Sequence, residues 1–231
     1  MQEKNKNIFL LKQERKNLKT FNIITNEIIQ EINKIILNIQ DINLDLEKFE
    51  SNLSNQSQII NNLSYENLGK INFNFTKLLI SKDLRRNISH LQLLLILKRI
   101  ANSTMDVGFH MYKILNREII VLKFEKIKEF VVGIGNMVIS VLREVENLIE
   151  TESEEEANQI LMDSSHITNS LQDYLNLLDL DFDYSEVPNK PQIKNLYSFF
   201  KIINGFETIC KGLDEIARLI IYVKTGKLTE D

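Results

Sequence analysis

Apolar residues recur every three or four positions along almost the whole chain, the spacing that lays one face of an α-helix against a core. Residues 8–40 carry Leu11, Leu18, Phe21, Ile24, Ile28, Ile32, Ile35 and Ile39. A polar break at Asp41–Asn43 ends that series. A second runs through Leu46, Phe49, Leu53, Ile60, Leu63, Leu68, Ile71, Phe75 and Leu78. A third helix is predicted from SKDLRR, with Ser81 or Asp83 as its N-cap, to about Leu115. NRE at 116–118 reads as a junction, after which Phe124, Ile127, Val131, Ile134, Val138, Val141, Val145 and Leu148 mark a fourth helix. TESEEE at 151–156 reads as a helix start: Thr151 or Ser153 can cap it, and the glutamates suit the positive end of a helix dipole. Ala157, Ile160, Leu161, Ile167, Leu171 and Leu175 continue that helix. DLDFDYSEVPNKPQ at 179–192 holds both prolines and reads as a loop. A last helix is predicted from about Gln192 to Lys224, closed by Gly226.

The two halves of this pattern match each other. One constant offset, taking Lys98 to Glu207, also places Leu91 on Phe200, Leu97 on Phe206 and Ile100 on Ile209. The same offset places Asn102 on Lys211, Asp106 on Glu215 and Val107 on Ile216. The expected fold is all-α: one three-helix unit present twice, as two tandem three-helix bundles covering residues 1–117 and 118–231. Each helix then buries one stripe around a shared core.

Composition agrees with long helices. Of 231 residues 43% are hydrophobic, enough for a sizeable core, while only 2 Pro and 7 Gly supply turn chemistry. Charge is uneven: residues 1–119 hold 17 Lys and Arg against 12 Asp and Glu, and residues 120–231 hold 11 against 20. A basic half beside an acidic half allows head-to-tail contacts or a polarised partner surface. Neither half has the basic, aromatic-interleaved stripe that would point to nucleic acid. Cys210 is the only cysteine, so no intrachain disulfide forms. MQEKNKN is charged and is followed by only IFLL, which does not make a signal peptide. Runs such as LQLLLIL are too short to cross a bilayer. A soluble, cytoplasmic protein without membrane insertion is expected.

Candidate chemistry is sparse. His90, His110 and His166 show no zinc spacing, and Cys210, flanked by apolar residues, reads as a packed, inert thiol. Asp179, Asp181 and Asp183 alternate like the start of a calcium loop, but Tyr184 and Lys190 stand where glycine and glutamate are required. That segment reads as a solvated loop. GIG at 133–135 lacks a preceding strand, so helix packing by small residues explains it better than phosphate binding. No nucleophile, base and orienting group can be assembled from spacing, so no enzyme and no cofactor are expected. The polar stretch LKRIANSTMD at 97–106, inside an otherwise apolar helix, is the feature that asks for an explanation, because charge on a buried helix is costly unless paired or solvated.

DLRRNISHLQLLLILKRIANSTMD at 83–106 and FETICKGLDEIARLIIYVKTGK at 206–227 resemble the duplicated third helix of the PhoU family, regulators of bacterial phosphate uptake. That helix typically opens with Asp-Leu-Arg, and the final one ends in an apolar stretch followed by Thr-Gly. EEEANQILMDSSHITNSL resembles the family's second helix. The resemblance extends from about residue 8 to 227 and rests on the order and duplication of these short motifs. It implies two tandem three-helix bundles and a non-enzymatic, cytoplasmic, often homodimeric regulator. Its implied partners are the phosphate ABC transporter ATPase and a sensor histidine kinase, and its implied effect is to lower phosphate-starvation signalling.

Many family members carry Glu-Arg-Ile-Gly-Asp in each third helix, with both carboxylates on one face for metal ions. Here the positions hold Lys98, Arg99, Ile100, Ala101 and Asn102, then Glu207, Thr208, Ile209, Cys210 and Lys211. Cations at two carboxylate positions repel a metal ion, so no metal cluster is expected. Glu207 and Lys211 are spaced for an ion pair on a solvated face. Asp83, Arg85, Arg99, Asp106 and Glu215 are the candidate partner-binding residues. Arg85 is either a contact residue or a first-turn surface charge, and Arg99 can pair with an acid on a neighbouring helix. Two other functions fit this sequence: a helical adaptor that keeps the fold without metal or phosphate signalling, and, more weakly, a carboxylate metal-binding protein.

Overall fold

The computed structural model describes residues 26–37, 81–115, 124–181 and 190–227, with scattered helical positions between 23 and 62. Helix is the only regular structure among the described residues. Four helices are complete: α1 (Ser81–Leu115), α2 (Phe124–Thr151), α3 (Glu154–Asp181) and α4 (Lys190–Thr225). Upstream, Ile28, Ile29, Ile32, Ile35 and Ile36 of the helical run 26–37 are buried in the same core. The expectations for Leu11, Leu18, Phe21, Ile24, Ile39, the break at 41–43, the apolar series 46–78 and the junction at 116–118 lie outside the described residues. So does the boundary expected between 117 and 118.

Local chemistry sets the helix ends. α1 starts at Ser81, which puts Asp83 in the first turn and not at the cap. Only Glu152 and Ser153 separate α2 from α3, so TESEEE is the end of one helix as well as the start of the next. Glu152 takes φ 48°, the left-handed conformation that closes a helix, and its N–H donates to Leu148 O at 2.8 Å. Ser153 is the cap of α3: its Oγ accepts the Glu156 N–H at 3.3 Å. Thr151 belongs to α2 and braces the corner, its Oγ1 donating to the Glu156 carboxylate and accepting the Ser153 N–H.

The segment 179–192 is less of a loop than its composition suggests. α3 continues through Asp179 to Asp181, because nothing in DLD breaks a helix before Pro188. Those two aspartates are therefore helical, and Asp183 lies outside the described residues. α4 begins at Lys190, two residues earlier than expected. Pro191 falls in its first turn, where a missing N–H costs no hydrogen bond. The other end is as expected: Gly226, at φ 76°, caps α4 with its N–H on Tyr222 O at 2.9 Å.

α2, α3 and α4 pack against one another in all three pairings, as a three-helix bundle does, and α1 packs along α4. Phe130 of α2 stacks on Tyr174 of α3 at 3.9 Å and meets Phe199 and Phe206 of α4. Phe199 and Phe206 are fully buried, each stabilising the fold by about 1.5–3 kcal/mol. Ser164 donates to Cys210 O at 3.1 Å, which satisfies a buried hydroxyl between α3 and α4.

α1 and α4 run antiparallel. Arg85 lies against Gly226, Ile100 against Gly212, and Val107 against Gly205. A Cβ at Gly212 would sit 2.6 Å from Ile100 Cγ1, and one at Gly205 2.6 Å from Val107 Cγ2 and 3.3 Å from Ser103 O. These two glycines let the backbones approach. The contacts centre on Ala101 and Cys210, both buried and equivalent in the internal alignment of the two halves. GIG at 133–135 is different. Gly135 is buried, but Gly133 is exposed with nothing within 4 Å of a Cβ, so it is not a packing glycine.

Candidate functional site

The polar stretch 97–106 lies on the rim where α1 crosses α4. Arg99 reaches across to Glu215, Nη2 to Oε2 2.6 Å, with both side chains nearly half exposed. In that setting the pair stabilises by about 0–1 kcal/mol, so it fixes register more than it adds stability. Two candidate partner-binding residues thus meet each other. The equivalent pair in the internal alignment is Thr208 and Asp106, where no ion pair forms: Thr208 Oγ1 donates to Asn204 O at 2.8 Å instead.

Of the four family motif positions, Lys98 and Glu207 are half-buried and Asn102 and Lys211 are exposed. Among the described residues no ion pair joins Glu207 to Lys211, contrary to the expectation from their spacing. Lys211 is exposed and Glu207 only partly covered, and holding two long side chains together offers little gain there. No three His, Cys, Asp or Glu side chains among the described residues lie where they could hold a metal ion.

Arg85 is neither free on the surface nor loosely placed. Its guanidinium carbon lies 5.6 Å from the Tyr222 ring centroid, and its Nη1 fills the space where a Cβ of Gly226 would be. A cation at the negative end of α4 complements the helix dipole, and the ring adds a cation–π contact. The Thr-Gly ending therefore has a reason here: Gly226 makes room for Arg85. Asp106 is exposed, and the side chain of Asp83 lies outside the described residues.

Cys210 is buried at the helix crossing, and burial pushes its thiol up to about 12, a packed thiol and not a nucleophile. His166 is exposed, and the side chain of His90 is outside the described residues. His110 sits edge-on between Phe109 at 5.7 Å and Tyr197 at 6.1 Å. Phe109 and Tyr197 are themselves exposed by 44% and 57%. Periodicity gives these two rings no prominence, since an aromatic at helical spacing usually marks a core position. On another face, the Glu144 carboxyl of α2 faces that of Asp163 on α3. Desolvation first, then the Asp163 charge, raises Glu144 above the usual carboxylate range.

No protein-family model matches the chain, and no curated protein matches it in sequence. Solved structures do match. The phosphate transport system regulatory protein PhoU from Streptococcus pneumoniae aligns with a TM-score of 0.75 at 17% identity, over 96% of this chain and 100% of that one. PhoU from Pseudomonas aeruginosa aligns with a TM-score of 0.61 at 15% identity, over 94% and 98%. No helix among the described residues is long and apolar enough to cross a membrane. Over nearly its whole length, this chain has the all-helical fold of the PhoU proteins.

Proposed function

We propose that this protein is a PhoU-like negative regulator of phosphate uptake and phosphate-starvation signalling. It acts by binding, without catalysis: a helical surface contacts the phosphate ABC transporter ATPase or a sensor histidine kinase and shifts its state. The observation that carries this reading is the end-to-end likeness to the phosphate transport system regulatory protein PhoU, which covers the whole of that chain. The proposal includes two three-helix repeats, at 1–117 and 118–231, a cytoplasmic location and a homodimer. The antiparallel pairing of α1 with α4, centred on equivalent residues, supports the duplication. Deleting the gene and measuring phosphate uptake at high phosphate tests the reading. Uptake that stays high in the deletion strain is the expected result, and uptake repressed as in the parent would overturn it.

A second reading has its own support. Lys98, Asn102 and Lys211 stand where many PhoU proteins hold metal-binding carboxylates. A helical adaptor that kept the fold and serves another partner would show the same substitutions, and it predicts repression unchanged by the deletion.

A further inference from the structure

The α1–α4 pair has two ends, equivalent in the internal alignment, and they differ in charge. At one end Arg85 covers Tyr222. The equivalent positions at the other end are Lys194 and Lys113, two cations where the first end has a cation and a ring. Lys201 adds a third, its Nζ 5.6 Å from the Tyr197 ring centroid, while Lys113 Nζ stands 3.9 Å from that of Phe109. Among the described residues none of these three lysines has a carboxylate partner. α4 begins here with Lys190 and has no acid in its first turn. Lys113 stands in the last turn of α1, where the helix dipole favours a cation. Apolar surface is present at the same end: Ile193, Tyr197 and Phe200 share one face of α4, each about half exposed, and His110 of α1 links Tyr197 to the exposed Phe109. Among the described residues, a chain of net charge −4 thus carries Lys113, Lys194 and Lys201 around open aromatic rings, with Asp106 one turn from Phe109 as the acid on that side.

We propose that this end of the α1–α4 pair is a docking surface for an acidic amphipathic helix of a partner protein. Apolar side chains at i, i+4 and i+7 of the partner lie against Phe109, Tyr197 and Phe200, the arrangement of a helix laid along a helical face. Carboxylates flanking that stripe meet Lys113, Lys194 and Lys201. Aromatic rings set in a cationic rim are the composition of an interface whose rings supply affinity and whose charges supply orientation and association rate. The surface is independent of the regulatory reading, because it stands whichever process the partner serves.

The probe is a synthetic amphipathic helix of about five turns, with a leucine stripe flanked by glutamates, titrated against the full chain by fluorescence anisotropy. Its counterpart carries lysines in place of the glutamates. The acidic peptide is expected to bind, and the lysine peptide not to bind. The double variant Lys113→Glu, Lys201→Glu should weaken binding at least about tenfold. Phe109→Ala with Tyr197→Ala should do so comparably. Lys211→Glu, more than two turns from Lys201 on α4, should leave binding intact. Circular dichroism confirms that each variant keeps its helices, and the substituted lysines are outside the core. Equal binding by the parent and the Lys113/Lys201 variant, or no binding of the acidic peptide at all, overturns the proposal. So does binding to phosphatidylglycerol-containing vesicles without binding to the peptide, which would make this a membrane-facing surface. Loss of repression in the deletion strain together with failure of the peptide test would leave the regulatory reading standing and remove this surface.

Discussion

At Gly133 an added methyl group meets open space, whereas at Gly212 it strikes Ile100 Cγ1 at 2.6 Å. The same substitution therefore has opposite expected signs. Gly133→Ala gains helix propensity at no steric cost and should raise the unfolding free energy by about 0.5–1 kcal/mol. Gly212→Ala forces α1 and α4 apart and should lower it by about 1–3 kcal/mol, a loss that propensity only partly offsets. Urea denaturation of both variants decides the point, and a stabilised Gly212→Ala would mean that the helices do not touch there. Cys210 gives a second check of the same crossing. Its thiol, pushed up to about 12 by burial, should not react with a disulfide-exchange reagent in the native protein and should react fully in denaturant. Rapid labelling without denaturant would show that the crossing opens. Both the inert thiol and the ability of Arg99 to pair with an acid on another helix are legible in the sequence, because residue type and periodicity fix which face is buried. That the acid is Glu215 is not legible. The choice depends on the register between two helices far apart along the chain, to which local spacing is blind.

The helices themselves are the easiest level to read, since a three-to-four spacing sustained over several turns has no competing interpretation. Their ends are legible where a residue has one strong role, as at Gly226 and Ser153. They mislead at Asp179–Asp181 and Pro191, where polar composition resembles a loop but no backbone constraint prevents a helix. The Glu144–Asp163 contact between α2 and α3 is invisible in sequence too, and it has a pH signature. Glu144 titrates above its ordinary 4.5 in the folded protein. Such a group favours folding fully below that value, and the contribution disappears as pH rises through the raised folded value. Near neutrality the desolvated Glu144 carboxylate, with Asp163 facing it, therefore opposes α2–α3 packing. Glu144→Gln should raise the melting temperature near neutral pH and change it little below pH 4.5. An equal shift at both pH values would mean that the effect is one of packing and not of charge.

For the whole molecule, the duplication legible as a constant offset between the halves acquires a spatial meaning in the antiparallel α1–α4 pair. Residues that match in sequence also sit at matching places about a centre near Ala101 and Cys210. The likeness of the two helices can be read from the sequence, but the difference between their ends cannot. Arg85 and Tyr222 form no motif and become neighbours only when the helices run in opposite directions, which also brings Lys113 and Lys194, at the equivalent positions, to one end of the pair. That difference bears on stoichiometry. Two like helices crossing about their midpoints would ordinarily offer a ligand two like ends, and one molecule would load twice. Arg85, seated between Tyr222 and the bare Cα of Gly226, occupies one of them from within. That end keeps an exposed Ile88 but holds Tyr222 and Gln92 where the other holds Lys113 and Lys201, so a partner that needs those charges docks one to one.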